Sequence, residues 1–203
     1  VITAWNGMMI SAFARSSQIH ENPAFLAQAE QTAGFIKTEL YDEKNGTLFR
    51  HYREQENNTG KRTEGALPDY AWLIYGLLDI YEASQQSTWL NWASALHEKQ
   101  DELFLDEATG AYFESVSGDE SLLFRSRSIY DGALPSANAI ALSNLRRLSV
   151  LVKEPSIKQS FSSRADRLVN SFAWSINQNP SAAAMLLAVE LEQDTGERSE
   201  AGP

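Results

Sequence analysis

Four segments of the chain are long enough for helices and nearly free of charge: Thr3 to Arg15, Tyr70 to Ala83, Leu134 to Leu145 and Ser181 to Val189. A helix that is apolar over most of its circumference is buried over most of it. Three further segments separate them: Phe25 to Leu40, Trp89 to Phe104 and Ile157 to Ile176. In these, apolar residues spaced by three and four form one stripe, and charged residues fill the opposite face. Uncharged and amphipathic helices therefore alternate, which predicts about seven helices in an inner and an outer layer.

The boundaries agree with this reading. Asn22-Pro23 offers an N-cap followed by proline at the first helical position. Ser87, Ser156 and Ser181 are further cap candidates. A repeat supports the alternation: DEKNGTLF at 42–49 returns as DEATGAYF at 106–113, 64 residues on. At that offset Asn6 falls on Tyr70, Ile10 on Ile74 and Phe13 on Leu77. Each unit is an uncharged helix, an amphipathic helix and a turn whose glycine can take the left-handed conformation, with the aromatic at its end returning to the core. Short β-hairpins are expected after the turns, over Leu48–Arg53, Tyr112–Val116 and Leu122–Arg125. Helix pairs repeating at such a period make a helical array. Uncharged helices ringed by charged ones suit an α/α toroid better than an α-solenoid, whose helices each keep a solvated side. The fold class read here is all-α and toroid-like, with one domain over 1–192 and a polar, fraying tail over 193–203.

Composition narrows the partners. The chain of 203 residues has a net charge of −10, which argues against nucleic acid, because phosphate binding needs a basic footprint. No apolar run approaches the length of a bilayer span, so no membrane partner is expected. Cysteine is absent, which removes thiol nucleophiles and thiolate metal sites and fits a reducing, cytoplasmic setting. No His/Asp/Glu cluster has metal-ligand spacing, and no glycine-rich phosphate loop appears, so neither metal nor cofactor is expected.

Three blocks carry a resemblance: Ile2-Thr3-Ala4-Trp5-Asn6-Gly7-Met8-Met9-Ile10, Asp69-Tyr70-Ala71, and Asp131-Gly132-Ala133-Leu134-Pro135-Ser136-Ala137-Asn138. In order and spacing they resemble the YyaL / spermatogenesis-associated protein 20 family, from Val1 to about Ser149. The resemblance implies a six-hairpin, glycosidase-like α/α toroid, which in that family follows a thioredoxin-like domain. These 203 residues are not expected to supply that domain. Where the family reads Asp-Asp-Tyr-Ala and Pro-Ser-Gly-Asn-Ser, this chain reads Pro68-Asp69-Tyr70-Ala71 and Pro135-Ser136-Ala137-Asn138-Ala139. A closed ring needs twelve helices, so the chain corresponds to roughly a carboxy-terminal half. It is expected to form homo-oligomers or to pack against the missing half.

In such a toroid, ligand groups come from the starts of inner helices. Asp69 and Asp131 are the catalytic candidates, because glycoside hydrolysis needs two carboxylates, an acid and a base or nucleophile. Their plain alternative is helix capping. Trp5 and Tyr70 could stack on a sugar, with Trp72 and Tyr75 as lesser candidates. Asn6, Ser136 and Asn138 could bind hydroxyls, or join neighbouring helices. The similar sugar epimerases use histidine for proton transfer. Here His51 is the candidate base, while His20 and His97 read as solvated. Arg50, Arg53, Arg125 and Arg127 could meet an anionic sugar. The function expected is carbohydrate binding or processing, glycosidase- or epimerase-like; the alternative is a non-catalytic protein-interaction module.

Overall fold

The computed structural model describes residues 1–52, 62–117 and 123–200, the side chains of 194–200 excepted. Eight α-helices lie among the described residues: α1 (Thr3–Ile19), α2 (Pro23–Glu39), α3 (Leu67–Ser84), α4 (Ser87–Phe104), α5 (Ala137–Leu151), α6 (Pro155–Ser171), α7 (Ala173–Gln178) and α8 (Ala184–Glu200). A 3-10 turn, Pro180–Ala183, precedes α8. Strands β1 (Tyr41–Asp42) and β2 (Thr47–Leu48) pair antiparallel between α2 and α3. The chain divides into two compact units, Val1–Phe104 with Glu114–Leu123, and Leu105–Phe113 with Phe124–Pro203.

In the first unit α1 packs on α3 at backbone distance. A Cβ on Gly7 would lie 2.5 Å from the carbonyl of Trp72, and one on Gly76 would lie 2.6 Å from the Gly7 oxygen. Only glycine permits that approach. α2 covers α1, and α4 covers α3. Asn22 caps α2 as its sequence predicts, its Oδ1 accepting the Ala24 N–H at 3.0 Å ahead of Pro23. Two expectations are corrected here. His97 is buried, not solvated, because it shares the packed stripe of α4 with Ala93, Gln100 and Phe104; its Nδ1 lies 3.4 Å from Asp101. α1 is buried only on the side of Ala4, Gly7, Ile10, Ser11 and Ala14, while Trp5, Met9 and Ile19 are exposed.

In the second unit α5 is buried along most of its length and packs on α6 and α8. Arg146 of α5 ties the three together, bonding Glu190 at 3.0 and 2.9 Å and Asp166 at 2.8 Å. The helix expected over Ile157–Ile176 breaks at Phe172, whose N–H turns to the Val169 carbonyl in a tightened i to i−3 bond. That break raises the helix count from seven to eight. α6 starts at Pro155, one residue before the expected cap Ser156, and Ser181 lies inside the 3-10 turn. α8 continues to Glu200, into the stretch read as tail.

Both repeat turns fold alike. Gly46 and Gly110 have φ of 71° and 87°, and their N–H groups donate to Asp42 and Asp106 carbonyls at 2.9 and 2.7 Å. The residues returning to the core are Leu48 and Tyr112. Phe49 and Phe113, expected there, lie half-buried under Arg62 and Arg125 respectively. The hairpins are shorter than expected. Tyr112 bridges only Leu105, and 123–125 carries no strand. Arg53 and Leu122 lie outside the described residues.

Candidate functional site

The start of α1 is laced to the segment after β2. Thr3 donates its N–H to the Arg50 carbonyl at 3.0 Å and its hydroxyl to the Phe49 carbonyl at 2.6 Å. Ile2 bridges His51. Ile2 at the N-cap provides no side-chain cap for α1, and the first N–H groups of a helix need outside partners. Asp69 supplies one from α3. Its Oδ1 accepts the Ala4 N–H at 3.1 Å, while its Oδ2 accepts the Ala66 N–H at 3.0 Å. One carboxylate thus caps its own helix and its neighbour. Asp69 is 2% exposed. Burial pushes its carboxyl above the usual range, against the opposing pull of those two bonds and of Arg50 and His51.

Tyr70, next along α3, uses its hydroxyl to accept the Leu48 N–H at 2.8 Å. Its ring is fully buried and meets Phe104 edge-on with centroids 5.5 Å apart. Burial pushes the phenol up to about 12. The stacking role expected for Tyr70 is therefore corrected: the ring is core. Trp5 differs, at 60% exposed. Asn6 is half-buried and donates its Nδ2 to the Ile2 carbonyl at 2.7 Å, and His51 is half-exposed. Trp72 meets Tyr75 edge-on at 5.6 Å, and Tyr75 receives the Arg15 guanidinium over its ring and on its hydroxyl.

The second unit repeats the design. Asp131 accepts the Ser136 N–H at 2.8 Å through Oδ1 and the Met185 N–H at 2.7 Å through Oδ2. Met185 is the second residue of α8, as Ala4 is the second of α1. Ser136 caps α5 by accepting the Ala139 N–H at 3.2 Å. Asn138 accepts the Tyr112 N–H at 2.9 Å and donates to the Tyr112 and Ser128 carbonyls at 3.0 Å each. Arg125 and Arg127 both lie over Phe113, and Arg127 pairs with Asp106.

The first unit thus gathers Trp5, Asn6, His51 and Asp69 around the start of α1. The second gathers Asp131, Ser136 and Asn138 before and within the start of α5. His20 lies apart, exposed after α1. Sequence reading missed Thr3 and the buried Asp79, which pairs with Arg15 at 3.0 Å. The repeat carried a signal for the latter, since Arg15 and Asp79 stand at the 64-residue offset.

No family profile matches the chain. It is 40% identical over 154 residues, 73% of its length, to spermatogenesis-associated protein 20 of Rattus norvegicus, and 38% identical over 153 residues to that of Homo sapiens. The chain belongs to the spermatogenesis-associated protein 20 family. It spans about a fifth of those relatives, 19% and 20% of their lengths. A Caenorhabditis elegans protein described as uncharacterized is 32% identical over 176 residues, 83% of this chain. Among solved structures, a GH76 α-mannanase of Bacteroides thetaiotaomicron superposes with a TM-score of 0.74 at 12% identity, over 97% of this chain and 53% of that one. A cellobiose 2-epimerase of Bacillus thermoamylovorans gives 0.64 at 16% identity, covering 84% and 44%. An unsaturated glucuronyl hydrolase of Bacillus sp. GL1 gives 0.63 at 18%, covering 85% and 46%. The fold of this family member is that of part of a glycosidase-like α/α toroid, about half of each of those structures. No described helix is long and apolar enough to cross a membrane.

Proposed function

We propose that this chain is part of a carbohydrate-processing toroid that holds a sugar at the starts of its inner helices. The observation that carries the reading is the exposed indole of Trp5, next in sequence to Asn6, on a helix start fixed by Asp69 and bridged at Ile2 by His51. Trp5 offers an apolar face for a sugar ring. Asn6 offers amide groups for hydroxyls, and His51 an imidazole that can give and take a proton. Asp69 serves as the builder of this site in the proposal, and Asp131, Ser136 and Asn138 build the corresponding helix start within the second unit. Both oxygens of each aspartate already accept backbone N–H groups, so direct acid or base work would sacrifice a cap. Proton transfer by His51 on a bound sugar, epimerase-like, fits this set better than hydrolysis by paired carboxylates.

The test is thermal unfolding against neutral hexoses, uronic acids and N-acyl hexosamines. A ligand at 100 times its Kd stabilises by about 2.7 kcal/mol. A rise in Tm is expected for at least one class, lost in Trp5→Ala and kept in His51→Ala, which instead loses turnover. No rise with any sugar defeats the reading.

A further inference from the structure

Two arginines of the second unit share one ring. The guanidinium carbons of Arg125 and Arg127 lie 4.0 and 5.3 Å from the centroid of Phe113, and so no more than about 9 Å apart. Arg127 is held in place. Its Nη1 donates to the Asp106 carboxylate and, at 2.9 Å, to the Thr109 hydroxyl. Its Nε and Nη2 make no hydrogen bond among the described residues, and 36% of the side chain is exposed. A guanidinium fixed through one nitrogen keeps the edge formed by the other two, and that edge matches a carboxylate with two parallel bonds.

Tyr130 follows in the same loop, in a stretch from 123 to 136 without helix or strand. It is 68% exposed, yet the backbone on both sides of it is pinned. Its N–H donates to Ser128 Oγ at 3.0 Å, and the Ser128 carbonyl accepts from Asn138 at 3.0 Å. The next N–H, of Asp131, donates to the Ala182 carbonyl at 2.8 Å. The ring edge lies over Gly132, where a Cβ would stand 3.6 Å from Cε1. An aromatic so exposed on so fixed a backbone gives up little freedom when another ring stacks on it. Three residues of chain separate Arg127 from Tyr130, at most about 11 Å between their Cα atoms. One pyranose and two long side chains bridge such a gap.

We propose that Arg127, Arg125 and Tyr130 form a second carbohydrate subsite, which takes an acidic sugar. The sugar ring stacks on Tyr130, its carboxylate meets the Nε and Nη2 edge of Arg127, and Arg125 adds charge. The exposed ring is what favours a uronate over a bare anion. The inference rests on the carbohydrate reading for the kind of ligand, and adds a place and a sugar class.

The test is a chemical-shift titration of the 15N-labelled full chain with glucuronate, glucose and acetate at constant ionic strength. Glucuronate should shift the Arg127 Nε–H and the Tyr130 amide saturably, with a Kd at least tenfold below that of either control. Arg127→Lys keeps the charge but loses the edge, and should weaken glucuronate at least tenfold. Tyr130→Ala, with Tm unchanged because the ring is exposed, should weaken glucuronate about tenfold and leave acetate as it was. Trp5→Ala should leave these shifts intact. Glucuronate that binds no better than acetate, or binding indifferent to Arg127→Lys or to Tyr130→Ala, overturns the proposal. A Trp5-dependent rise in Tm with a sugar that leaves Arg127 and Tyr130 unmoved by glucuronate sinks this subsite alone. Glucuronate binding through Arg127 with no Trp5-dependent ligand upholds it and sinks the site on α1.

Discussion

The two units solve the same two problems with different residues. Each must capture the backbone amide that leaves the repeat turn, and each must cap the helix beside its inner helix. In the first, the Tyr70 hydroxyl takes the Leu48 amide and Asp69 takes that of Ala4. In the second, the Asn138 amide takes Tyr112 and Asp131 takes Met185. Asp69 works from inside a helix, almost fully buried, whereas Asp131 works from a loop and is half-exposed. The task is thus tied to a place in the repeat, and its energetic weight to burial. A buried donor left without a partner costs about 1–3 kcal/mol, while an accessible one can turn to water.

The largest contrast should come from deleting both carboxylates in turn. Asp69→Ala strands the Ala4 and Ala66 amides and should cost about 3 kcal/mol, whereas Asp131→Ala should cost about 1 kcal/mol. Urea unfolding followed by circular dichroism measures both, and equal losses would erase the burial argument. Next comes the pair that captures the turn. Asn138→Ala leaves three backbone groups and a small void, for about 2 kcal/mol; Tyr70→Phe removes one acceptor, for about 1 kcal/mol. The reverse order in the same assay would contradict the hydrogen-bond geometry.

A smaller effect separates Asp69→Asn from wild type. The substitution keeps one acceptor of two and should cost about 1–2 kcal/mol, more than a simple cap exchange. The gap should also vary with pH. A carboxyl whose pKa is raised by folding contributes stability that is fully present below its unfolded pKa, about 3.9, and lost as pH rises through the folded value. The wild-type advantage should therefore be widest near pH 3.5 and narrow toward pH 7, and urea midpoints across that range would show it widening instead if burial did not dominate. The smallest effect is Trp5→Ala, which should move stability by less than about 0.5 kcal/mol while removing any sugar-dependent rise in Tm.

Much of this architecture is legible in the residues. Alternating charge-free and charge-striped segments mark inner and outer helices, Asn22-Pro23 marks a helix start, and Gly46 and Gly110 mark the repeated turn. What the sequence hides is decided across long separations. Asp69 reads as a cap because of its neighbours, but its second partner, Ala4, lies 65 residues away. Tyr70 and Trp5 are both aromatic at an inner-helix start, yet one is core and the other exposed, because only Tyr70 faces the turn it must hold. His97 reads as solvated among charges, since its own helix does not reveal which stripe packs. Exposure of α1 is likewise invisible where burial is inferred from lack of charge.

The most direct test is amide hydrogen exchange at Ala4. As the second residue of α1 its N–H has no partner within the helix, so its protection depends on Asp69 alone. Slow exchange in wild type that becomes fast in Asp69→Ala, with the amides in the middle of α1 still protected, is the predicted result. An Ala4 amide that exchanges freely in wild type, or stays protected without the carboxylate, would contradict the clamp on which the site is built.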